Sequence, residues 1–378
     1  MEKKNRYLTI QKIIMCILFF AVFGVMMAIG TPNDLEIDKS LFNYSNPFAN
    51  FMEDYGMLPV YSVQLLAFCV LVAAYHKVDE VLDVLQAFLP FVEKLRAKKP
   101  FKAVIFIIHH IIYALFLYGA FMGCDELLNY VLCTADGGNI QDIIVAAGAP
   151  KFVGVIVWTI VRIAIELAAI LLLRKIDTEH LKMLEVMAVA GLLLYHGSDV
   201  INMIKSHFHR VRFREMVAYS HGLIDANGIS CRGDADMPRD WIKDSMFFAY
   251  TPWYKIGEEF VLFSDSNSFP SGHTAAAAFS MLLPALAAKM KNGVKLFIPA
   301  FILGFGYTVA VGITRLVMGA HYLTDVAAGA MIMFAMIIVV VCVMNSIERI
   351  FDKRIHKLNR RREREVKIAE LSKKEEKE

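Results

Sequence analysis

The sequence has 378 residues, of which 57% are hydrophobic and 20% are charged, and its mean hydropathy is +0.49. Soluble globular chains carry about 45–50% apolar and about 25% charged residues, so this composition indicates an integral membrane protein. The net charge of +3 excludes a strong electrostatic attraction to nucleic acid, and six cysteines are too few for a small disulfide-stabilised scaffold.

Apolar stretches long enough to cross a bilayer, which takes roughly 20 residues, recur along the whole chain. They cover residues 8–30, 57–75, 103–123, 152–173, 183–203, 273–288, 296–317 and 322–346. The sixth stretch is the shortest of them. The sequence therefore predicts an all-α fold, a polytopic transmembrane helical bundle with about eight spans.

The segment between the second and third spans has a different pattern. In residues 76–98, apolar residues recur at helical spacing with charged residues between them. This pattern predicts an amphipathic helix lying on the inner membrane surface, or more simply a cytoplasmic connector.

Acidic and basic segments alternate between the predicted spans. Residues 31–56 contain five acids and one lysine, residues 76–102 contain six Lys or Arg, and residues 124–150 contain four acids and no Lys or Arg. Since cytoplasmic loops are enriched in Lys and Arg, both termini are predicted to be cytoplasmic. Residues 348–378, with twelve Lys or Arg and eight Asp or Glu, then form a basic cytoplasmic tail.

One segment breaks this alternation. Residues 204–272 are predicted to face outside, yet they contain Lys205, Arg210, Arg212 and Arg214. Clustered cations on the outer side indicate an anion that they hold.

Three polar clusters fall at predicted outer ends of helices. They are Lys205-x6-Arg212 after the fifth span, Ser-Phe-Pro-Ser-Gly-His at residues 268–273, and Thr314-Arg315-x5-His321-x3-Asp325 between the seventh and eighth spans. Each has a simpler reading when taken alone, such as a helix N-cap at residues 268–273 or a buried hydrogen-bonded pair at His321 and Asp325. Their combination with unexplained outer cations favours a catalytic site.

The cations and the helix start in these clusters suit a phosphate group. Lys205, Arg212 and Arg315 supply three positive charges, and the guanidinium fork matches two phosphate oxygens at once. Ser271 and Gly272 open a helix, whose free N–H groups and dipole favour an anion. We therefore predict that these five residues bind phosphate.

The histidines suit the covalent chemistry. His321 and Asp325 are four residues apart on one helical face, so Asp325 is expected to accept a hydrogen bond from one ring nitrogen and leave the other free to attack phosphorus. His273 then suits the general acid that protonates the leaving oxygen. These positions hold no group of carboxylates for a divalent ion, and the sequence predicts neither a metal nor another cofactor.

The order of these motifs resembles the type 2 phosphatidic acid phosphatase family, whose relatives are bacterial acid phosphatases and vanadium haloperoxidases. The resemblance covers about residues 183–346. It implies a nucleophilic His321 that forms a phosphohistidine, an orienting Asp325 and an acidic His273. It also implies phosphate binding by Lys205, Arg212, Ser271, Gly272 and Arg315.

The sequence departs from the family pattern at two motif positions and in its number of spans. Phe213 follows Arg212 where the family commonly has proline, and Thr314 precedes Arg315 where it commonly has serine. Neither change removes a charge. The family core has six spans, so the four spans of residues 1–182 are either accessory or part of the bundle beside a phosphatase core at residues 183–347.

We therefore predict a cell-membrane lipid phosphatase, with its active site facing outside, that is metal-independent and hydrolyses a lipid phosphate monoester or pyrophosphate. Undecaprenyl pyrophosphate, phosphatidylglycerol phosphate, phosphatidic acid and a lipid A phosphate are all candidate substrates. The expected partners are the lipid phosphate and membrane lipids, with no nucleic acid.

Two alternatives remain at this point. One is a lipid phosphotransferase that uses the same histidine intermediate. The other is a lipid transporter or flippase with a buried polar path through Arg162, Glu166, His196 and Asp199, in which the first two would pair. The oligomeric state, the role of residues 214–269 and a disulfide between Cys124 and Cys133 also stay open.

Overall fold

The computed structural model describes residues 2–75, 78–96, 98–133, 148, 150–223, 237, 242–256 and 267–375, and the regular structure in these ranges is helical. The α-helices are α1 (Glu2–Leu41), α2 (Pro47–Tyr55), α3 (Leu58–Ala74), α4 (Val78–Phe88), α5 (Val92–Arg96), α6 (Lys99–Cys133), α7 (Lys151–Leu173), α8 (Thr178–Tyr195), α9 (Gly197–Phe208), α10 (Phe213–Ser220), α11 (Gly272–Ala278), α12 (Leu282–Lys289), α13 (Gly293–Val317) and α14 (Leu323–Glu375). The predicted polytopic helical bundle is confirmed.

Seven segments within the described ranges are long and apolar enough to cross a membrane. They are Arg6–Leu41, Pro47–Ala74, Lys99–Leu132, Lys151–Leu173, Thr178–Phe208, Gly293–Val317 and Leu323–Ile368. The chain is thus a multi-pass membrane protein. Each segment matches one of the eight predicted spans to within one residue or contains it, and the predicted span at 273–288 is the one without a counterpart among the described residues.

The span predicted at 273–288 consists of two short helices, α11 and α12, joined by a 3-10 turn at Phe279–Met281. Pro284 lies in the first turn of α12. Because proline has no N–H and its ring crowds the carbonyl four residues earlier, an α-helix cannot continue regularly through Ser280. The hydroxyl of Ser280 lies 2.7 Å from the carbonyl oxygen of Ala277 and 2.9 Å from that of Gly304 in α13.

Helix α1 runs eleven residues beyond the predicted end of the first span. Residues 31–41, predicted as part of an outer loop, continue the helix to Leu41. Asp34 and Asp38 lie one turn apart on its buried face, with exposed fractions of 1% and 0%. This extension carries two carboxylates into the protein interior.

The N-terminal helices share a hydrophobic core with the C-terminal ones. Phe19 and Phe23 of α1 are fully buried, and the ring of Phe19 lies 4.0 Å from that of Phe334 in α14 and 5.7 Å from that of Phe305 in α13. Residues of α3, α8, α11 and the 3-10 turn belong to the same cluster. The described parts of segments 1–182 and 183–347 are therefore packed together.

A second apolar cluster joins α3, α6 and α7, and it contains Cys124. Cys124 is a buried free thiol in α6, nine residues before Cys133 in the same helix. Nine residues of helix separate their Cα atoms by about 13 Å, which is too far for a disulfide. The outer loop predicted to hold both cysteines is helical up to residue 133, so this disulfide is excluded.

The segment predicted as amphipathic forms α4 and α5, which pack against the continuation of α14. Arg362 donates from Nη2 to Asp83 at 2.8 Å, and the rings of Phe88 and Phe351 are 4.5 Å apart. Its place on the inner membrane surface stays a prediction.

The four residues of the transport alternative do not form one buried path. Arg162 pairs with Asp125, at 2.7 Å, rather than with Glu166 as predicted. The side chains of His196 and Asp199 are 77% and 75% exposed.

Candidate active site

The second motif forms the start of α11. Ser271 is its N-cap, and the Ser271 hydroxyl accepts the N–H of Thr274 at 3.3 Å. A Cβ atom on Gly329 of α14 would lie 2.3 Å from the carbonyl oxygen of Ser271. Only glycine permits this approach, which brings the third motif against the second.

The first motif reaches the same helix start through Lys205. A Cβ atom on Gly272 would lie 3.3 Å from Nζ of Lys205. The ammonium group of Lys205 in α9 therefore lies over the N-terminal end of α11. The charge of Lys205 and the positive end of the helix dipole are thus close together.

His321 is buried between α13 and α14, with an exposed fraction of 2%. Its Nδ1 donates to the carbonyl oxygen of Ser268 at 2.7 Å, whereas Oδ2 of Asp325 is 3.8 Å from Nδ1. The direct hydrogen bond expected between His321 and Asp325 is therefore replaced by one to a main-chain carbonyl. This hydrogen bond fixes the tautomer of His321 with its proton on Nδ1 and leaves Nε2 free, as expected.

Burial also sets the charge of His321. Loss of hydration lowers its pKa to about 3, although the nearby Asp325 favours the charged form. The imidazole is thus neutral at physiological pH. Among the described contacts its hydrogen bonds use Nδ1, so Nε2 is the nitrogen available for a ligand.

Asp325 is fully buried and holds several donors at once. Its carboxylate accepts from the guanidinium of Arg210, from the hydroxyl of Ser268 and, at 2.9 Å, from the N–H of Tyr322. Ser268 thus contacts both His321 and Asp325. Asp325 acts on the histidine through this intermediate residue and through its charge.

Arg210 joins Asp325 to the N-terminal helix. Its Nη2 lies 2.9 Å from Oδ2 of Asp34, and its Nε donates to the carbonyl oxygen of Thr251 at 2.8 Å. Burial disfavours its charged form, but the carboxylates of Asp325 and Asp34 outweigh this effect and raise the pKa of Arg210. A fully buried guanidinium therefore lies between two carboxylates.

Arg315 is equally buried but incompletely paired. Its Nη2 lies 3.2 Å from Oε1 of Glu53, while its Nε and Nη1 have no partner in the part of the chain that the structure describes. Arg214 donates to both oxygens of Glu53, at 3.0 and 3.1 Å, and Nε2 of His273 lies 3.2 Å from the Glu53 carbonyl oxygen. Glu53 of α2 therefore contacts three site residues.

A cavity of about 640 Å³ lies in front of these groups. Six of the eight predicted site residues line it: Lys205, Arg212, Gly272, His273, Arg315 and His321. The other two, Ser271 and Asp325, are fully buried behind its wall. The structure thus brings all three motifs together at one cavity.

The sequence interpretation did not assign Asp34, Glu53, Ser268 or Arg210 to the site. The signal was present in the charges, because acidic residues in 31–56 and basic residues in 204–272 were both predicted on the outer side. Opposite charges on one side of a bundle can form ion pairs, as Asp34 does with Arg210 and Glu53 with Arg214.

Part of the 214–269 segment lies outside the described residues. Within the described ranges no group of three or more His, Cys, Asp or Glu side chains is placed to hold a metal ion. The site combines cations, histidines, the carboxylates that pair with them and a helix start.

Comparison with known proteins gives one match. The family model described as the PAP2 superfamily matches residues 233–349, which include the second and third motifs. No curated protein and no solved structure matches the chain. The match and the membrane-helix bundle together support a membrane phosphatase type of function.

Proposed function

Residues 233–349 match the PAP2 superfamily model, and on that premise we propose that the protein hydrolyses a phosphate monoester or pyrophosphate carried by a membrane lipid. The reaction proceeds through a phosphohistidine on His321. The site opens at the extracytoplasmic face of the cell membrane.

The incomplete pairing of Arg315 beside His321 carries this proposal. Two buried N–H-bearing nitrogens that have no partner among the described residues cost free energy, about 1–3 kcal/mol for an unsatisfied buried polar group. A phosphate in the cavity removes this cost, because its oxygens accept from the guanidinium. Lys205 over the start of α11 provides the second half of an anion site.

In the proposed reaction, Nε2 of neutral His321 attacks phosphorus and the bond to the leaving oxygen breaks. Burial and the charge of Arg315 lower the pKa of His273. The negative charge of the bound phosphate counteracts both effects, so that His273 is protonated in the complex and gives its proton to the leaving oxygen. Water, deprotonated by His273, then attacks the phosphohistidine and releases inorganic phosphate. The nitrogen–phosphorus bond breaks and His321 returns to the neutral form.

The cavity walls support a lipid substrate. Val60, Ile201, Phe279 and Met333 line it beside the charged groups. Ligand sites combine such apolar surface with a few placed polar groups. A phosphorylated lipid meets both requirements.

Phosphate release from lipid phosphates in detergent tests the proposal. Wild type, His321→Ala and His196→Ala are compared, because His196 is an exposed histidine on the same side of the bundle and does not line the cavity. We expect His321→Ala to lose activity by at least about 10³-fold, since it removes the nucleophile, and His196→Ala to retain it.

An acid-labile, alkali-stable phosphoenzyme in wild type would support the intermediate. Phosphate release that persists in His321→Ala would overturn the mechanism. Acceptor-dependent transfer without free phosphate would instead establish a phosphotransferase.

A further inference from the structure

The cavity contains a second polar group apart from the phosphate-binding residues. Glu126 of α6, Tyr195 of α8, Tyr61 of α3 and Asn202 of α9 line the same space as His321. None of these four residues has a part in the proposed transfer of phosphate. The inference drawn from them rests on the proposed function.

Contacts with one another and with Tyr130 hold three of these side chains in place. The hydroxyl of Tyr195 donates to Oε1 of Glu126, which leaves Oε2 as an acceptor. Tyr61 stacks on Tyr130 with 4.2 Å between ring centroids, and the Tyr130 hydroxyl accepts the N–H of Met57 at 2.9 Å. This end of the cavity is therefore preorganised.

The spacing along the chain places this group within reach of a bound headgroup. Tyr195 and Lys205 are ten residues apart on the consecutive helices α8 and α9, which is at most about 15 Å of helical rise. Both residues line the cavity, so a substrate whose phosphate lies at Lys205 can extend toward Tyr195.

The chemistry of the group selects its ligand. A carboxylate only accepts hydrogen bonds, a carboxamide both donates and accepts, and a tyrosine ring offers an apolar face. Hydroxyl groups donate and accept together, and a polyol also has C–H surface for the ring. The negative charge of Glu126 repels a phosphate, so a second phosphate is disfavoured beside it.

We propose that Glu126, Tyr195, Asn202 and Tyr61 bind a hydroxyl group of the leaving alcohol. The preferred substrate is then a lipid whose terminal phosphate is carried by a polyol such as glycerol, rather than a prenyl pyrophosphate or phosphatidic acid.

Two lipids that differ by one hydroxyl group test this directly. Phosphatidylglycerol phosphate is compared with its analogue in which 1,3-propanediol replaces the terminal glycerol. Equilibrium binding is measured with His321→Ala, which needs no turnover, and kcat/KM with the active enzyme. We expect both to favour the glycerol lipid by about tenfold or more, the size of one hydrogen bond to a charged group.

Glu126→Gln should reduce this preference at least severalfold and leave the propanediol lipid unaffected. The matched control is Asp199→Asn, an exposed carboxylate of α9 outside the cavity, which should keep the wild-type ratio. Equal binding of both lipids, or a ratio that Glu126→Gln does not change, would overturn the inference. Selective binding without phosphate release would support this site and overturn the proposed hydrolysis.

Discussion

Arg210 and Arg315 are each only 1% exposed, yet their surroundings differ. Arg210 lies between two carboxylates and also donates to a main-chain carbonyl. Arg315 shares one carboxylate with Arg214 and keeps two nitrogens without a partner among the described residues. Burial alone therefore does not distinguish the two arginines. They differ because Arg315, which lines the cavity, keeps donors without a partner among the described residues.

The net charge of the ionic groups around Arg210 also differs from the net charge around Arg315 and Glu53. Around Arg210, Asp34 and Asp325 supply two negative charges against one positive charge. Around Glu53, two arginines supply two positive charges against one negative charge. The side of the site at Glu53 is thus positive and the side at Asp325 is negative, which would stabilise the phosphoimidazolium of the proposed intermediate.

Removing the incompletely paired arginine should have the largest effect. Arg315→Ala is expected to lower kcat/KM by about 10³-fold, and Arg315→Lys by less, because lysine keeps the charge but loses the fork. Steady-state phosphate release measures both. An Arg315→Ala enzyme with wild-type kcat/KM would show that its unused donors do not meet the substrate.

Acid should destabilise the protein through His321. Its pKa is about 3 in the folded protein and about 6.5 in an unfolded chain, so the unfolded chain takes up a proton first as the pH falls. The stability held above pH 6.5 is lost progressively toward pH 3, by about 2–3 kcal/mol at pH 4.5.

Thermal unfolding of wild type and His321→Asn between pH 7 and 4.5 measures this contribution as a difference. Wild type should lose more stability over this interval than the variant. Parallel pH dependence in the two proteins would contradict a neutral, buried imidazole.

Asp34→Asn tests the negative side of the comparison with a smaller expected effect. The substitution keeps the shape but lets Arg210 neutralise Asp325, so the phosphoimidazolium loses stabilisation. We expect kcat to fall roughly tenfold with little change in KM. At an effective dielectric constant of 20 a unit charge contributes about 4 kcal/mol at 4 Å, and Asp34 contributes less because it lies behind Arg210 and Asp325.

Asp38→Asn is the matched control for this prediction. Asp38 lies one turn further along α1, is equally buried, and its carboxylate oxygens have no hydrogen-bond partner within the described part of the chain. Wild-type kcat is expected for it. Equal losses in both variants would assign the effect to polarity in α1 rather than to the charge of Asp34.

The sequence predicts most of this arrangement for definable reasons. Long apolar runs located the seven segments that can cross a membrane, and motif spacing selected six residues that line one cavity. Local periodicity could not show that α1 continues through residues 31–41, because the buried Asp34 in this stretch pairs with Arg210, 176 residues away. The pairing of Glu53 with Arg315, 262 residues apart, is equally invisible to local patterns.

Helix α1 also has a consequence for how the protein is made. Synthesis runs from the N-terminus, so Asp34 leaves the ribosome before Arg210, its partner 176 residues later. The last contacts of this group come from Thr324 and Asp325 at the start of α14. The hydrogen bonds around Asp325 and His321 are therefore completed only after the start of α14 has been synthesised and has packed against α1.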